Sequence, residues 1–233
     1  MAKHQSLSPK NIIETSSLWN VLTAEQKVYL AHNFQITTFK KNAVIYSENE
    51  QPNSLLCVIS GKVKIYKEGN GGRSQIVRII KPEEFFGYRA LFAGEKYVTT
   101  AAAFEACVIY EIPEPVILNL IKNNADLAFS FIQFLSIDLG ISDARSVVLT
   151  QKHIRGRLAE SLIHIKEHYG TEENDKTLSL KLSREDLANL SNMTTSNAIR
   201  TLSLFSKEKL IAIEGRKIKI IDEERLRRIS KFE

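Results

Sequence analysis

The pattern of apolar and polar positions changes along the chain. Between Phe34 and about Pro113, short runs rich in Val, Ile, Phe and Tyr alternate with turn-forming Gly, Pro and Asn. Several short strands at this spacing are typical of an antiparallel β-barrel or jelly roll. The predicted strands are Phe39/Ala43–Tyr46, Leu55–Ser60, Lys62–Tyr66, Ile76–Ile80, Val98–Ala103 and Cys107–Ile112.

Helical periodicity lies on both sides of this region. Residues 12–33 carry a short helical signal, in which Thr23 and Gln26 form a capping-box pattern. Residues 126–150 are predicted to form one helix of about 25 residues, or ~37 Å. Seven positions of this helix repeat at alternating steps of four and three, which is a heptad seam. They are Leu127, Phe131, Phe134, Asp138, Ile141, Arg145 and Val148.

The seam is longer than a domain of ~115 residues needs to cover one face. We therefore expect it to pair with the same helix of a second copy, which makes the protein a homodimer. Asp138 and Arg145 would then set the register of the pair rather than stabilise it. The alternative is that the helix packs on the β-domain of its own chain.

A hinge is predicted after the long helix. Gly156 lies within it, and a further helix at 154–169 and an extended run at 177–182 follow. The chain is thus predicted to be α+β. Its parts are a β-roll domain with an N-terminal helix at 1–125, a dimerisation helix at 126–150, a hinge at 151–157 and a C-terminal domain at 158–233.

Residues 182–210 have the layout of a helix-turn-helix. Ser183 is positioned to cap a first helix, and Thr194 is positioned to cap a second one. Asn192 lies in the short turn between them, where a residue that tolerates positive φ is needed. This layout predicts a domain that places its second helix in the major groove of DNA.

The second helix begins with small polar residues that can approach base edges. Arg200 lies one turn deeper, where it can bond guanine O6 and N7. The hairpin at 210–221 has a basic tip, which is typical of a wing that contacts phosphates. The predicted DNA-binding residues are Ser183, Arg184, Thr194, Thr195, Ser196, Asn197, Arg200, Arg216 and Lys217.

The charge distribution agrees with a DNA-binding domain at this end of the chain. The net charge is +5, and residues 152–233 hold 17 Lys/Arg against 13 Asp/Glu. No nucleophile–base pair, paired acid or phosphate loop stands at motif spacing, so we expect no enzyme. No run approaches the roughly 18 apolar residues of a membrane span, and no apolar signal core begins the chain. We expect a cytoplasmic protein that does not bind membranes.

The cysteines and histidines of the sequence give little indication of a metal or redox site. Cys57 and Cys107 lie in strand-like apolar runs, which is typical of buried, reduced thiols. His164 and His168 are spaced to share a metal ion but lack a third ligand, so no metal site is predicted. Haem stays open as a cofactor, because His32 or a terminal amine can ligate iron.

Taken together, these features resemble the Crp/Fnr family of transcription factors, over residues 20–222. The order of β-roll, long dimer helix, hinge and winged helix is the same. The local anchors are Val58–Val63, Phe85-Phe86-Gly87, Gly156-Arg157, and Leu182–Ala188 through Arg200. The resemblance implies a homodimeric regulator of transcription that binds double-stranded DNA, contacts RNA polymerase and answers to a small-molecule effector.

The resemblance also locates a candidate effector pocket, and the pocket departs from the family pattern. The cyclic-AMP binders carry a glutamate in the segment after Phe-x-Gly and an Arg-Ser pair further on, where this chain has Tyr88-Arg89-Ala90 and Val98-Thr99. A buried phosphate without its arginine is an unpaired charge, which argues against cyclic AMP. Arg89 indicates an anionic effector instead, unless it pairs with a carboxylate and the pocket is filled. The candidate residues are Gly87, Tyr88, Arg89, Ala90, Val98, Thr99, Thr100 and Ser142.

Two further family properties do not carry over. Iron–sulfur sensing requires four cysteine ligands, whereas the chain has two cysteines. Ser196 replaces the glutamate that accepts a bond from cytosine N4, so we do not expect the usual half-site. The alternative function is a regulatory β-roll whose C-terminal domain binds protein rather than DNA.

Overall fold

In the computed structural model, which describes residues 16–69, 72–173 and 176–233, the chain divides into two units. The first consists of the residues up to Lys67 and of Val77–Leu139. The second consists of Glu68–Ile76 and Gly140–Glu233. The secondary structure is α+β, as predicted, with the strands of the β-domain before the long helix and a helix-turn-helix after it.

The described strands before the long helix form two antiparallel sheets of four strands each. Their orders are β1-β8-β3-β6 and β2-β7-β4-β5. The strands are β1 (Gln35–Phe39), β2 (Val44–Tyr46), β3 (Ser54–Ser60), β4 (Val63–Glu68), β5 (Ser74–Ile80), β6 (Phe85–Phe86), β7 (Thr100–Ala103) and β8 (Cys107–Pro113).

Each run predicted to be a strand contains one, with small shifts at the ends. The sequence pattern missed most of β1, which pairs along its whole length with β8. This strand lies at the edge of its sheet, and its side chains are exposed or half-buried. An edge strand of this kind needs no apolar alternation, so periodicity does not reveal it.

The first unit contains two clusters of buried apolar residues, and one of them lies around the single tryptophan, Trp19, which is fully buried. The indole Nε1 of Trp19 donates a hydrogen bond of 2.8 Å to the Tyr110 hydroxyl, and Phe85 packs edge-on against the indole. The thiol groups of Cys57 and Cys107 are free and buried, as predicted. Burial raises the pKa of Cys57 to about 12, so this thiol is unreactive at neutral pH.

The helices of the N-terminal part surround this core. A short 3₁₀ helix, Ser17–Val21, comes first, followed by α1 (Ala24–His32), α2 (Tyr88–Ala93), α3 (Glu114–Lys122) and the long helix α4 (Ala125–Gln151). The predicted capping box at Thr23 and Gln26 is present at the start of α1. Residues 12–15 of the predicted N-terminal helical segment lie outside the described residues.

The second unit contains the remaining helices and a two-stranded sheet. They are α5 (Ile154–Tyr169), α6 (Arg184–Leu190), α7 (Thr195–Lys207), β9 (Ile211–Glu214), β10 (Lys217–Ile220) and α8 (Glu223–Phe232). The observed bounds of α5 are those predicted. Leu158, Leu162, Ala198 and Phe205 are among the fully buried side chains that join α5 and α7 in one core.

Gly156 in the first turn of α5 is required for a close approach of the main chain. A Cβ atom at this position would lie 2.4 Å from the carbonyl carbon of Glu233, at the end of α8. The backbone N–H of His153, the N-cap of α5, donates a bond of 2.7 Å to the Glu233 oxygen. The start of α5 is therefore fastened to α8.

Helix α4 is long and apolar enough, by length and composition alone, to cross a membrane, and it is the one such helix in the described part of the chain. Its contacts give it another role. Leu127 and Phe131 are buried in the core of the first unit, and Asp138 forms an ion pair with Arg78. The first half of α4 is therefore packed against the β-domain by these contacts.

Replacing Gly61 should destabilise the first unit. Gly61 has φ of 79°, and an added Cβ would lie 2.2 Å from the Ala106 carbonyl oxygen. Gly94 has φ of 66° but nothing within 4 Å of an added Cβ. Both Gly61→Ala and Gly94→Ala should cost about 1–2 kcal/mol for positive φ, and Gly61→Ala roughly 1–3 kcal/mol more for the overlap.

Urea unfolding followed by Trp19 fluorescence measures this difference in the first unit. Equal midpoints for the two variants would contradict the role assigned to the Ala106 contact.

Candidate DNA-binding interface and effector region

Helix α6 begins with a side-chain cap and ends in the predicted turn. The Ser183 hydroxyl accepts a bond of 2.9 Å from the Asp186 N–H and donates one of 2.6 Å to the Asp186 carboxylate. Asn192 has φ of 49°, and Ser191 is fully buried in the turn. The turn is therefore held rigidly between α6 and α7.

Helix α7 presents a polar face opposite a buried one. Thr194 caps it by accepting a bond of 3.2 Å from the Asn197 N–H. Thr195, Ser196 and Arg200 are exposed, whereas the buried face consists of Ala198, Thr201, Leu202 and Phe205. The predicted polar residues therefore lie together on a surface that a duplex can reach.

Arg200 is held in place by its own helix. Its Nη2 donates a bond of 3.0 Å to the Oδ1 atom of Asn197, three residues earlier. The Asn197 side chain is half-buried, so it limits the directions in which the guanidinium can point. A preoriented guanidinium suits bidentate recognition of guanine, because less side-chain entropy is lost on binding.

The wing lies on the same unit, and Arg184 connects it to α6. Arg184 Nη2 donates a bond of 2.8 Å to the carbonyl oxygen of Gly215, at the tip of the β9–β10 hairpin. Its Nη1 is buried without a hydrogen-bond partner among the described residues. Arg216 is exposed at the tip, and Lys217 lies 3.4 Å from the Glu172 carboxylate. Arg184 therefore positions the wing, a contact that the sequence pattern did not indicate.

In the effector region, the Tyr88 side chain is buried at the centre of a polar cluster. Its hydroxyl accepts a bond of 2.6 Å from Arg78 Nη1 and donates one of 2.7 Å to Asp138 Oδ2. Arg78 Nη1 also lies 2.5 Å from Asp138 Oδ1. We call these three residues the Arg78–Tyr88–Asp138 cluster. It joins β5, α2 and α4.

The electrostatics of the cluster keep Tyr88 neutral and Arg78 charged. Burial raises the pKa of Tyr88 well above its usual value, Arg78 opposes this rise, and Asp138 adds to it. Burial alone would lower the pKa of Arg78, but Tyr88 and Asp138 outweigh that effect and raise it. The cluster is thus a half-buried ion pair that the buried Tyr88 hydroxyl bridges by hydrogen bonds.

The other candidate pocket residues are only partly brought together. Arg89 is exposed and forms an ion pair of 2.9 Å with Glu95. Pairing with a carboxylate was the alternative to anion binding in the sequence analysis. Thr99 bonds Tyr46, and Thr100 accepts a bond of 3.1 Å from the Glu48 N–H. Val98 is exposed. Gly87 and Ala90 flank Tyr88, and Ser142 is exposed on α4 in the second unit.

The predicted seam of α4 faces its own chain at its start. Leu127 and Phe131 are core residues of the first unit, which corrects their assignment to a partner interface. Phe134 packs edge-on against Tyr88, and Asp138 belongs to the cluster. Arg145 donates bonds to the backbone oxygens of Ile76 and Leu190 within the second unit. Ile141 is exposed and Val148 is half-buried.

Another face of α4 carries an apolar row in which Ile132 and Leu139 are exposed, while Leu135 packs partly against the core of the first unit. Ala128, Ile132, Leu135 and Leu139 follow one another at steps of four, three and four, and we call them the apolar stripe. Ile132 is 58% exposed and Leu139 is 63% exposed. This spacing is that of a heptad seam rotated away from the predicted one.

The histidines form no metal site in the described part of the chain. No group of three or more His, Cys, Asp or Glu residues that could hold an ion is found there. The rings of His164 and His168 lie 3.9 Å apart. Burial, followed by His168 and Arg145, lowers the pKa of His164 to about 4. His32, the candidate haem ligand, is exposed, and its Nδ1 lies 2.7 Å from the Val28 oxygen.

Comparison with known proteins agrees with both units. Residues 36–124 match the cyclic nucleotide-binding domain, and residues 156–229 match the Crp-like helix-turn-helix domain. The chain belongs to the Crp/Fnr family of transcriptional regulators. It is therefore a DNA-binding transcriptional regulator, and the family is not enzymatic. Crp/Fnr regulators bind DNA, typically as homodimers.

Individual Crp/Fnr relatives resemble the chain over most of its length. The CRP-like cAMP-activated global transcriptional regulator of Mycobacterium tuberculosis is 24% identical over 200 residues, which are 85% of this chain and 89% of that protein. The nitrogen fixation regulation protein FixK of Azorhizobium caulinodans is 24% identical over 194 residues, 82% of this chain and 77% of that one.

Solved structures share the fold of this Crp/Fnr regulator. FixK2 of Bradyrhizobium japonicum matches with a TM-score of 0.75 at 21% identity, over 84% of this chain and 96% of that one. A Crp/Fnr-family transcriptional regulator of Thermus thermophilus matches with a TM-score of 0.69 at 23% identity, over 84% of this chain and 98% of that one.

Removing the bridging hydroxyl should weaken the attachment of α4 to the β-domain. Tyr88→Phe removes one half-buried hydrogen bond from Arg78 and one from Asp138, so it should lower the free energy of unfolding of the first unit by about 1–2 kcal/mol. Tyr29→Phe, at an exposed site on α1, is the matched control and should change it by less than about 0.5 kcal/mol.

Urea unfolding of both tyrosine variants, read from Trp19 fluorescence, tests the bridge. A Tyr88→Phe protein as stable as the control would show that the hydroxyl contributes nothing to the packing of α4.

Proposed function

We propose that the chain regulates transcription by placing α7 in the major groove of a specific DNA site. The observation that carries this proposal is the exposed polar face of α7 with Arg200 preoriented by Asn197. Ser183, Thr194, Thr195 and Ser196 complete the surface, and Arg184 supports the wing, so that Arg216 and Lys217 contact phosphates. The match to the Crp-like helix-turn-helix domain favours DNA over protein as the ligand of this surface.

The protein acts as a homodimer in this proposal, through the apolar stripe of α4. Two exposed branched side chains one heptad apart, Ile132 and Leu139, suit pairing with the same helix of a second copy. The dimer presents two α7 helices to successive major grooves of a near-palindromic site. This interface replaces the one predicted at Leu127 and Phe131.

We further propose that the N-terminal unit at 1–125 senses a signal, and that the segment 151–157 passes it from the dimer helix at 126–150 to the DNA-binding domain at 158–233. RNA polymerase is the proposed protein partner. The proposed location is the cytoplasm, which is typical of the family.

The cyclic-AMP mode of the Mycobacterium tuberculosis relative does not suit this chain. The segment Tyr88–Ala90, where the resemblance places a glutamate for the ribose, has none, and the Tyr88 hydroxyl is already bonded to Arg78 and Asp138. The proposed effector region around Gly87–Ala90, Val98–Thr100 and Ser142 therefore takes a different ligand or none.

Arg200→Ala should weaken specific DNA binding. One bidentate guanine contact contributes about 1–3 kcal/mol, which is roughly a 5- to 150-fold loss of affinity per half-site. Arg228→Ala removes the same charge from an exposed position on α8 and should change the affinity by less than about threefold.

Fluorescence anisotropy on a duplex selected from random sequence measures both arginine variants at one salt concentration. Equal losses for the two would show that only net charge matters. Absence of salt-sensitive binding by the unaltered protein would refute the proposed function itself.

Charged substitutions in the apolar stripe should separate the dimer. Ile132→Asp with Leu139→Asp places unpaired carboxylates in an apolar contact, which costs several kcal/mol. Ile137→Asp is the control, because Ile137 is 65% exposed but lies on the other side of α4. Sedimentation velocity should show a monomer for the double variant and a dimer for the control. The reverse outcome would assign the interface to the Ile137 side.

A further inference from the structure

Helix α7 carries two large apolar side chains that its core does not use, Ile199 in its N-terminal half and Leu204 further along. Ile199 is 48% exposed, whereas Ala198, Leu202 and Phe205 fill the buried face. It directly precedes Arg200, the residue proposed to bond guanine. A branched apolar side chain next to Arg200 therefore indicates an apolar contact with a base, in addition to the hydrogen bonds proposed for Arg200.

A neighbouring residue enlarges this apolar spot. Thr195 is exposed and lies four residues before Ile199, so the two β-branched side chains are neighbours on one side of the helix. Thr195 carries a methyl group as well as a hydroxyl, so it can extend the apolar surface that Ile199 offers. Both lie in the N-terminal half of α7, which is the part of a recognition helix that reaches base edges.

The chemistry of the major groove limits what such a surface can recognise. The thymine 5-methyl is the one apolar group that the four base pairs present there. Residues 194–200 include no Asp or Glu, so this segment offers no carboxylate to accept from cytosine N4. Successive side chains on a helix project at different angles, so Ile199 and Arg200 meet different base pairs.

On the basis of the proposed DNA binding by α7, we propose that Ile199, supported by Thr195, recognises a thymine methyl group next to the guanine bonded by Arg200. Each half-site then contains a thymine–guanine step whose thymine is read by apolar contact. Ile199 is thus a specificity-determining residue.

Replacing thymine by deoxyuridine tests this proposal, because the exchange removes only the 5-methyl group. A duplex is first selected from random sequence with the unaltered protein. Each thymine beside the selected guanine is then exchanged, and affinities are measured by anisotropy. The exchange should weaken binding by about fourfold per half-site, the factor that corresponds to one buried methyl-sized group.

The variants show whether Ile199 is the residue that reads the methyl. Ile199→Ala should bind the thymine duplex several-fold more weakly and should no longer distinguish thymine from deoxyuridine. Leu204→Ala is the matched control, because Leu204 is 44% exposed on the same helix but five residues further from its N-terminus. It should retain the full difference. Circular dichroism checks that both variants fold.

Three outcomes would overturn the inference while leaving the proposed function intact. They are a selected half-site without thymine beside the guanine, no effect of deoxyuridine on the unaltered protein, and an undiminished effect in Ile199→Ala. Failure of the unaltered protein to bind any duplex specifically would refute the proposed function and this inference together.

Discussion

The packing of α4 on the β-domain is the contact on which the rest of the molecule depends. Leu127 and Phe131 enter the core around Trp19, and the Arg78–Tyr88–Asp138 cluster fixes the next turns of the helix. An ion pair of this kind adds little net stability, because desolvation offsets the attraction between the charges. It does fix orientation, since a rotation of α4 would separate Asp138 from Arg78 and Tyr88 and leave half-buried polar groups without these bonds. That orientation determines which side of the helix stays uncovered.

The elements were largely predictable, because they follow from local chemistry. Apolar runs between turn residues located the strands, and the caps at Thr23, Ser183 and Thr194 marked helix starts with side chains that bond nearby N–H groups. The face of α4 was not predictable in the same way. Its heptad pattern is compatible with packing against a partner helix and with packing against a β-domain. Only the tertiary structure shows that Leu127 and Phe131 are buried in the β-domain of the same chain.

The effector region shows the same limit for charged residues. Arg89 stood next to the family's Phe-x-Gly motif, but it lies on the surface with Glu95. Arg78, which the sequence pattern did not indicate, is half-buried in the Arg78–Tyr88–Asp138 cluster instead. One signal was present: Arg78 lies between Ile76 and Ile80 at strand spacing, so its side chain shares their face. A charged side chain on the apolar face of a strand requires an oppositely charged partner. The sequence alone did not show that this partner of Arg78 is Asp138.

The close contact between Gly156 and Glu233 bears on how motion can pass along the chain. Helix α4 ends at Gln151 and the N-cap of α5 is His153, so Lys152 alone separates them. From His153 onward the backbone is tied to the end of α8. The joint between the two helices consists of Lys152 and His153, so it has four soft torsions, two for each residue. Bonds from Lys152 to Glu160 and from Arg157 to the Leu149 oxygen span this joint, so a change in the direction of α4 at Gln151 must also change the direction of α5 or break these bonds.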